Sequence, residues 1–234
     1  MDLVVPRNRE LSDLLSRASS DDLNVLADLI TDFGKGRVAL DNLVKRHILM
    51  HKDIGDLQAI SDVIAREICE FGGNTIANAW RKGGVAYQEL AADVAKKLGG
   101  KPTEELDVYA IEDVAIAAAV ASFSEGKAIA LPKKGSELAS VLGPIITTLV
   151  TNAGTVAGVA AAGGATGVAA AVGGRVAALV AGPIAVAAAG VTAFQAAAPA
   201  YRITVPAVLQ IAKIRRLRFD ADLIAYREAL FACK

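Results

Sequence analysis

The sequence predicts an all-α protein, and three observations carry this. Between residues 11 and 121 apolar side chains recur at helical spacing. Strand-like alternation is absent until ITVP at Ile203, where Pro206 argues against a strand. From Leu138 to Tyr201 the only charged residue is Arg175, in a run dominated by alanine, glycine and valine. A helix with a wetted face shows polar residues along that face. This stretch is therefore expected to be shielded from water, by lipid or by protein.

Taken in order, the elements are expected as follows. Leu11, Leu14 and Leu15 mark a first helix. Ser19–Ser20 followed by Asp21 and Asp22 marks the start of a second, with a hydroxyl cap and acids at the positive end of the helix dipole. Leu23, Leu26, Leu29 and Ile30 line its inner face, and Gly34-Lys-Gly36 is expected to stop it. Val38 to Met50 forms a third helix, with Leu40, Leu43, Val44 and Ile48 inward. Ile54 to Glu70 forms a fourth, with Leu57, Ile60, Val63, Ile64 and Ile68 inward. Gly72–Gly73 breaks it and Ile76 to Trp80 resumes. Tyr87 to Leu98 is a further helix, ended by Gly99–Gly100. Thr103 to Ala121 is another, with Thr103 as cap. Two short amphipathic helices, Pro206 to Arg218 and Ala221 to Ala232, close the chain.

The expected organisation is thus a soluble helical domain over 1–122, a linker over 123–137, a hydrophobic helical hairpin over 138–201 and basic amphipathic helices over 202–234. The hairpin follows from length. A bilayer-crossing helix needs about 20 apolar residues. Leu138 to Ala162 and Val176 to Ala198 each meet that, with Gly163–Gly164 and Gly173–Gly174 as break points between them. Alanine and glycine contribute little to insertion, so both spans are weak to moderate. Pro144 and Pro183 fall inside them. Gly154, Gly158, Gly163 and Gly167 form two small-xxx-small pairs that permit close helix packing, in lipid or in a protein core.

Basic residues flank the stretch on both sides. Lys127, Lys133 and Lys134 precede it; Arg202, Lys213, Arg215, Arg216 and Arg218 follow it without an intervening acid. A hairpin returns both ends to one side, and basic flanks favour the cytoplasmic side. The five C-terminal residues are the candidate lipid-facing basic cluster, with a solvated helix face as the plainer reading.

Composition bounds the rest. The chain has 234 residues with 25 basic and 25 acidic side chains, so nothing points to bulk nucleic-acid binding. Two cysteines, Cys69 and Cys233, give no disulfide framework and suit a reducing compartment. The opening MDLVVPRNRE has no signal-peptide core. His47 and His51 have a chelating i, i+4 spacing, but HILMH lacks the glutamate of a metalloprotease, and two surface histidines are the simpler reading. GGKPT at Gly99 to Thr103 lacks the first glycine and the Ser/Thr of a phosphate loop. AVGGRVAAL around Gly173 has neither the strand nor the acid of a dinucleotide site. Glu67, Glu70, Asp107, Glu112 and Asp113 read as solvated helix faces. No catalytic, cofactor or metal residues are expected.

Three segments carry a family resemblance. SSDDLNVLADLITDFGKGRVAL from Ser19, FGGNTIANAWRKGGVAYQELAADVAKKL from Phe71 and AYRITVPAVLQIAKIRRL from Ala200 resemble the YaaW family. The similarity covers roughly Leu11 to Leu98 and Ala200 to Leu217. It implies a bacterial origin, a helical fold, a ubiquinol–cytochrome c chaperone-like region and no known catalytic residues. The run from Ala115 to Ala200 departs from the family in its alanine content.

The functional expectation is a non-enzymatic protein of the bacterial cytoplasm or cytoplasmic membrane. Its hairpin would insert into or dock on the membrane, in a pore-forming or complex-assembling role. Its partners would be lipids or a membrane complex, with a homo-oligomer open. The alternative is a soluble chaperone or interaction module whose hairpin is its own core.

Overall fold

The computed structural model describes residues 5–35, 40–72, 85–124, 130–159 and 201–233. Within them lie eight α-helices, one short 3-10 turn (Leu57–Ile60) and no strand. The helices are α1 Leu11–Ser16, α2 Ser20–Thr31, α3 Asn42–Ile54, α4 Ser61–Gly72, α5 Tyr87–Lys97, α6 Val108–Phe123, α7 Gly135–Val159 and α8 Tyr201–Ala232.

Local chemistry explains most boundaries. The Ser19 hydroxyl accepts the Asp22 N–H at 3.2 Å and starts α2. That helix ends at Thr31, ahead of the expected glycine stop. Asp32, Phe33 and Gly34 all take the left-handed conformation, with φ of 50°, 54° and 80°. The expected third helix begins four residues late, capped by Asp41, whose carboxylate accepts the Leu43 N–H at 2.6 Å. Helix α3 runs past the expected end at Met50 to Ile54, where Gly55, at φ 74°, stops it, and the expected fourth helix from Ile54 to Glu70 is divided into a 3-10 turn and α4. Thr103 does not cap α6. Asp107 does, accepting the Ala110 N–H at 2.9 Å, so the helix begins at Val108.

The C-terminal expectation needs the largest correction. In place of two short helices there is a single helix of 32 residues, α8, running through Pro206 and Phe219 without a break. Its middle, from Thr204 to Arg216, is buried apart from the partly exposed Lys213. Val205, Val208, Leu209, Ile211, Ala212 and Ile214 face the core on every side, the pattern of a central helix rather than a surface one. The other helices pack around it. Leu14 and Leu15 of α1, Leu23 and Leu26 of α2, Ile64 of α4, Val94 of α5 and Ile116 of α6 are all fully buried in the same core.

That core crosses the segment boundaries drawn from the sequence. Leu138, Leu142, Ile145, Ile146, Leu149 and Ala153 recur along one face of α7 and are buried against α8 in the shared core. The first part of the nearly uncharged stretch is therefore covered by protein along that face. Among the described residues, no helix is long and apolar enough to cross a membrane. The break, the second span, Pro183, and the helix-packing candidates Gly163 and Gly167 lie outside the described residues. Gly154 and Gly158 fall in the last turns of α7.

Candidate functional site

The chemically distinctive place is the centre of the bundle, where α6 meets α8. The side chain of Glu112, on α6, has no solvent exposure. An isolated buried carboxylate is very costly, and here two consecutive arginines of α8 neutralise it. Arg215 Nε donates to both carboxylate oxygens at 3.0 Å. Arg216 Nη1 donates to Oε2 at 2.9 Å. From α5, the Tyr87 hydroxyl donates to Oε1 at 2.8 Å. Consecutive residues on a helix point about 100° apart, so the two arginines reach the acid as a fork.

The outer parts of both guanidiniums are also satisfied. Arg215 Nη1 donates to the Arg9 carbonyl at 2.7 Å. Arg216 Nη2 donates to the Tyr109 carbonyl and to Asp113 Oδ1, each at 2.8 Å. The Arg216 guanidinium lies 3.4 Å from the centre of the Tyr109 ring, a cation–π contact. Burial works against the Arg216 charge, but Glu112 and Asp113 outweigh it and hold its pKa above the usual arginine value. Burial and the adjacent Glu112 charge push the Tyr87 hydroxyl well above the ordinary tyrosine range, which keeps it a donor.

This geometry corrects two expectations. Glu112 is not on a solvated face. Arg215 and Arg216 are not lipid-facing: both are buried and committed to internal partners. Two more residues of the basic cluster pair with acids. Lys213 Nζ pairs with Asp22 Oδ1 at 2.7 Å. Arg218 pairs with Asp222 one turn on. Arg202 is half-buried at the start of α8. Three of the five residues that read as a polybasic run, Lys213, Arg215 and Arg216, tie α8 to α2 and α6, while Arg218 pairs within α8.

Three further links join these elements. Arg9 bridges Asp13 at 2.7 Å and Asp222 at 2.7 Å, joining the chain before α1 to α8 across 213 positions. Gln210 donates to the Asp22 carboxylate at 2.9 Å and to its carbonyl at 3.1 Å. At the other end of α7, the Gly135 N–H donates to Asp220 Oδ2 at 2.6 Å.

Three donors hold the Glu112 carboxylate: the Tyr87 O–H on Oε1, an Arg216 Nη1–H on Oε2 and the single Arg215 Nε–H shared between both oxygens. The acid is thus enclosed by groups that tie α5, α6 and α8 together. His47 and His51 lie on the outer side of α3 with ring centres 4.8 Å apart, and His51 Nδ1 is 3.1 Å from the Asp56 carbonyl. No group of three potential metal ligands occurs among the described residues. A cleft of about 320 Å³ beside α5 is lined by Gln88, Glu89, Lys96, Pro102, Thr103 and Glu104, so the GGKPT loop forms one wall of it.

The signal for the buried acid was present in the sequence. The α6 run VYAIEDVAIAAAVASF is apolar all round, and a lone acid pair within it has to be neutralised. The matching arginines follow VPAVLQIAKI, itself mostly apolar.

No protein-family model matches the chain. No solved structure matches it either. It is 28% identical over 231 residues to UPF0174 protein YaaW of Escherichia coli strain K12, covering 88% of this chain and 93% of that protein. The protein of the same name from Escherichia coli O157:H7 gives the same identity and coverage. The chain is therefore a distant homologue of UPF0174 protein YaaW, similar to it over most of its length.

Proposed function

We propose that this is a non-enzymatic helical interaction module, with a chaperone-type role in which apolar helix surface is sheathed within the protein's own bundle. The observation that carries the reading is the burial of Leu138, Leu142, Ile145, Ile146 and Leu149 against α8. A segment built to enter lipid would instead offer that face outward. The buried Glu112 network supports the non-enzymatic part, since its polar groups are spent on holding helices together.

A second reading is membrane docking or insertion through the 138–201 stretch, with a pore-forming or complex-assembling role on the cytoplasmic side. The single charged residue in that stretch favours it. Fractionation of expressing cells decides between the two. Under the proposal, the protein is in the soluble fraction, or leaves the membranes on washing with high salt and carbonate. Retention in the washed membranes overturns it in favour of the second reading.

A further inference from the structure

Helix α3 turns an apolar seam away from the bundle. Its one buried residue is Ile48. On the opposite side Leu43, Met50 and Ile54 are 68%, 53% and 66% exposed, and His47 is exposed between them. The sequence reading placed Leu43 inward; the structure places it outward. Residues 43, 47, 50 and 54 are spaced 4–3–4, which is the a/d seam of a coiled coil. Three large apolar side chains on one short helix form a surface patch with a defined axis.

The flank of the seam identifies its occupant. Arg46 and Asp53 are seven residues apart, so both stand on the same side of the seam, and both are exposed. Neither has an ion-pair partner among the described residues. Two copies of α3 laid antiparallel about an axis between Ile48 and Leu49 put Leu43 opposite Ile54 and His47 opposite Met50. The same operation puts Arg46 of each copy beside Asp53 of the other, twice. On the far flank Val44 meets the His51 ring, so no like charges oppose. A parallel pairing leaves Arg46 facing His51 and Asp53 without a partner. The helix is thus self-complementary in shape and charge under a two-fold axis, the requirement for an isologous dimer.

We propose that α3 is a homodimerisation surface, pairing antiparallel with α3 of a second copy through Leu43, His47, Met50 and Ile54 and through two reciprocal Arg46–Asp53 ion pairs. One 13-residue helix from each copy is a small contact beside the ~1,200–2,000 Å² of stable interfaces, so the dimer is weak and concentration-dependent. The proposal is independent of whether the 138–201 stretch meets lipid.

Sedimentation of the full chain from about 1 μM to about 1 mM tests it, with circular dichroism confirming that each variant is folded. Wild type is expected to move toward twice its 24.1 kDa mass as concentration rises. Arg46→Asp alone, or Asp53→Arg alone, sets like charges together and is expected to weaken association about tenfold. The double reversal, Arg46→Asp with Asp53→Arg, restores complementarity and is expected to recover it. A wild-type monomer throughout, single reversals that associate as wild type does, or a double reversal that stays weak would each overturn the proposal.

Discussion

Glu112 shows how one residue can decide the stability of a bundle. Its charge is compensated only because Arg215, Arg216 and Tyr87 all reach it. Breaking a buried pair by removing one partner costs about 3–5 kcal/mol. Glu112→Gln, which keeps the shape and removes the charge, is expected to lower stability by that amount in urea unfolding. Asp113→Asn, at a half-exposed neighbour, is expected to cost under about 1 kcal/mol. Equal losses would mean that burial is not what makes the network matter. A second carboxylate sets an acid limit. Some burial raises the Asp107 pKa, but hydrogen bonds from Asn8, the Ala110 N–H and Arg7 outweigh it and hold the group at about 2, below its ordinary 3.8. Because the folded value is the lower one, its contribution is whole above about pH 4 and is lost as pH falls toward about 2. Asp107→Asn keeps a capping side chain but not the titration. Its melting temperature is expected to fall less steeply than wild type across that window.

At the scale of the element, two glycines of α7 give opposite forecasts for the same substitution. Gly143 has open space where a Cβ would stand, so Gly143→Ala is expected to stabilise by up to about 1 kcal/mol through helix propensity. At Gly135 the added Cβ would sit 2.5 Å from the Arg216 carbonyl oxygen, so Gly135→Ala is expected to destabilise despite the same gain. Thermal melts of the pair separate propensity from packing. The inner faces of the early helices were legible because leucines and isoleucines at 23, 26, 29 and 30, and at 57, 60, 64 and 68, follow helical spacing. Helix ends were less so. Asp32 and Phe33 adopt positive φ without glycine, and nothing local marks Asp107 rather than Thr103 as the cap. The polarity of α8 was misread for a physical reason. A basic run looks solvated until the acids facing it are known, and those acids are on α2 and α6, a hundred or more positions away in the chain.

For the whole molecule, the helix placed last in sequence lies at the centre in space. Helix α8 touches α1, α2, α4, α5, α6 and α7. A chain ending at Ala200 would therefore lose a surface shared by six of the other seven helices, not merely one layer. It is expected to show no cooperative unfolding transition, whereas retention of a sharp transition would mean that the first 159 residues hold a core of their own. The all-helical class could be argued from the spacing of apolar residues, and the shielding of one face of α7 from its lack of charge. What shields α7 could not, because periodicity says that a face is covered without saying by what. The 28% identity to UPF0174 protein YaaW spans 88% of the chain.

That placement of α8 has a consequence on the ribosome. Synthesis runs at roughly 5–20 residues per second, so on the order of ten seconds separates the emergence of α4 from that of Arg216. Throughout that interval the nascent chain carries the apolar faces of α1, α2 and α4, joined later by those of α6 and α7, with their common partner not yet made. The Glu112 carboxylate likewise waits for Arg215 and Arg216, 103 and 104 positions downstream. This order favours folding that begins late and completes all at once. It also makes the growing chain itself a client for whatever guards exposed apolar helices during translation.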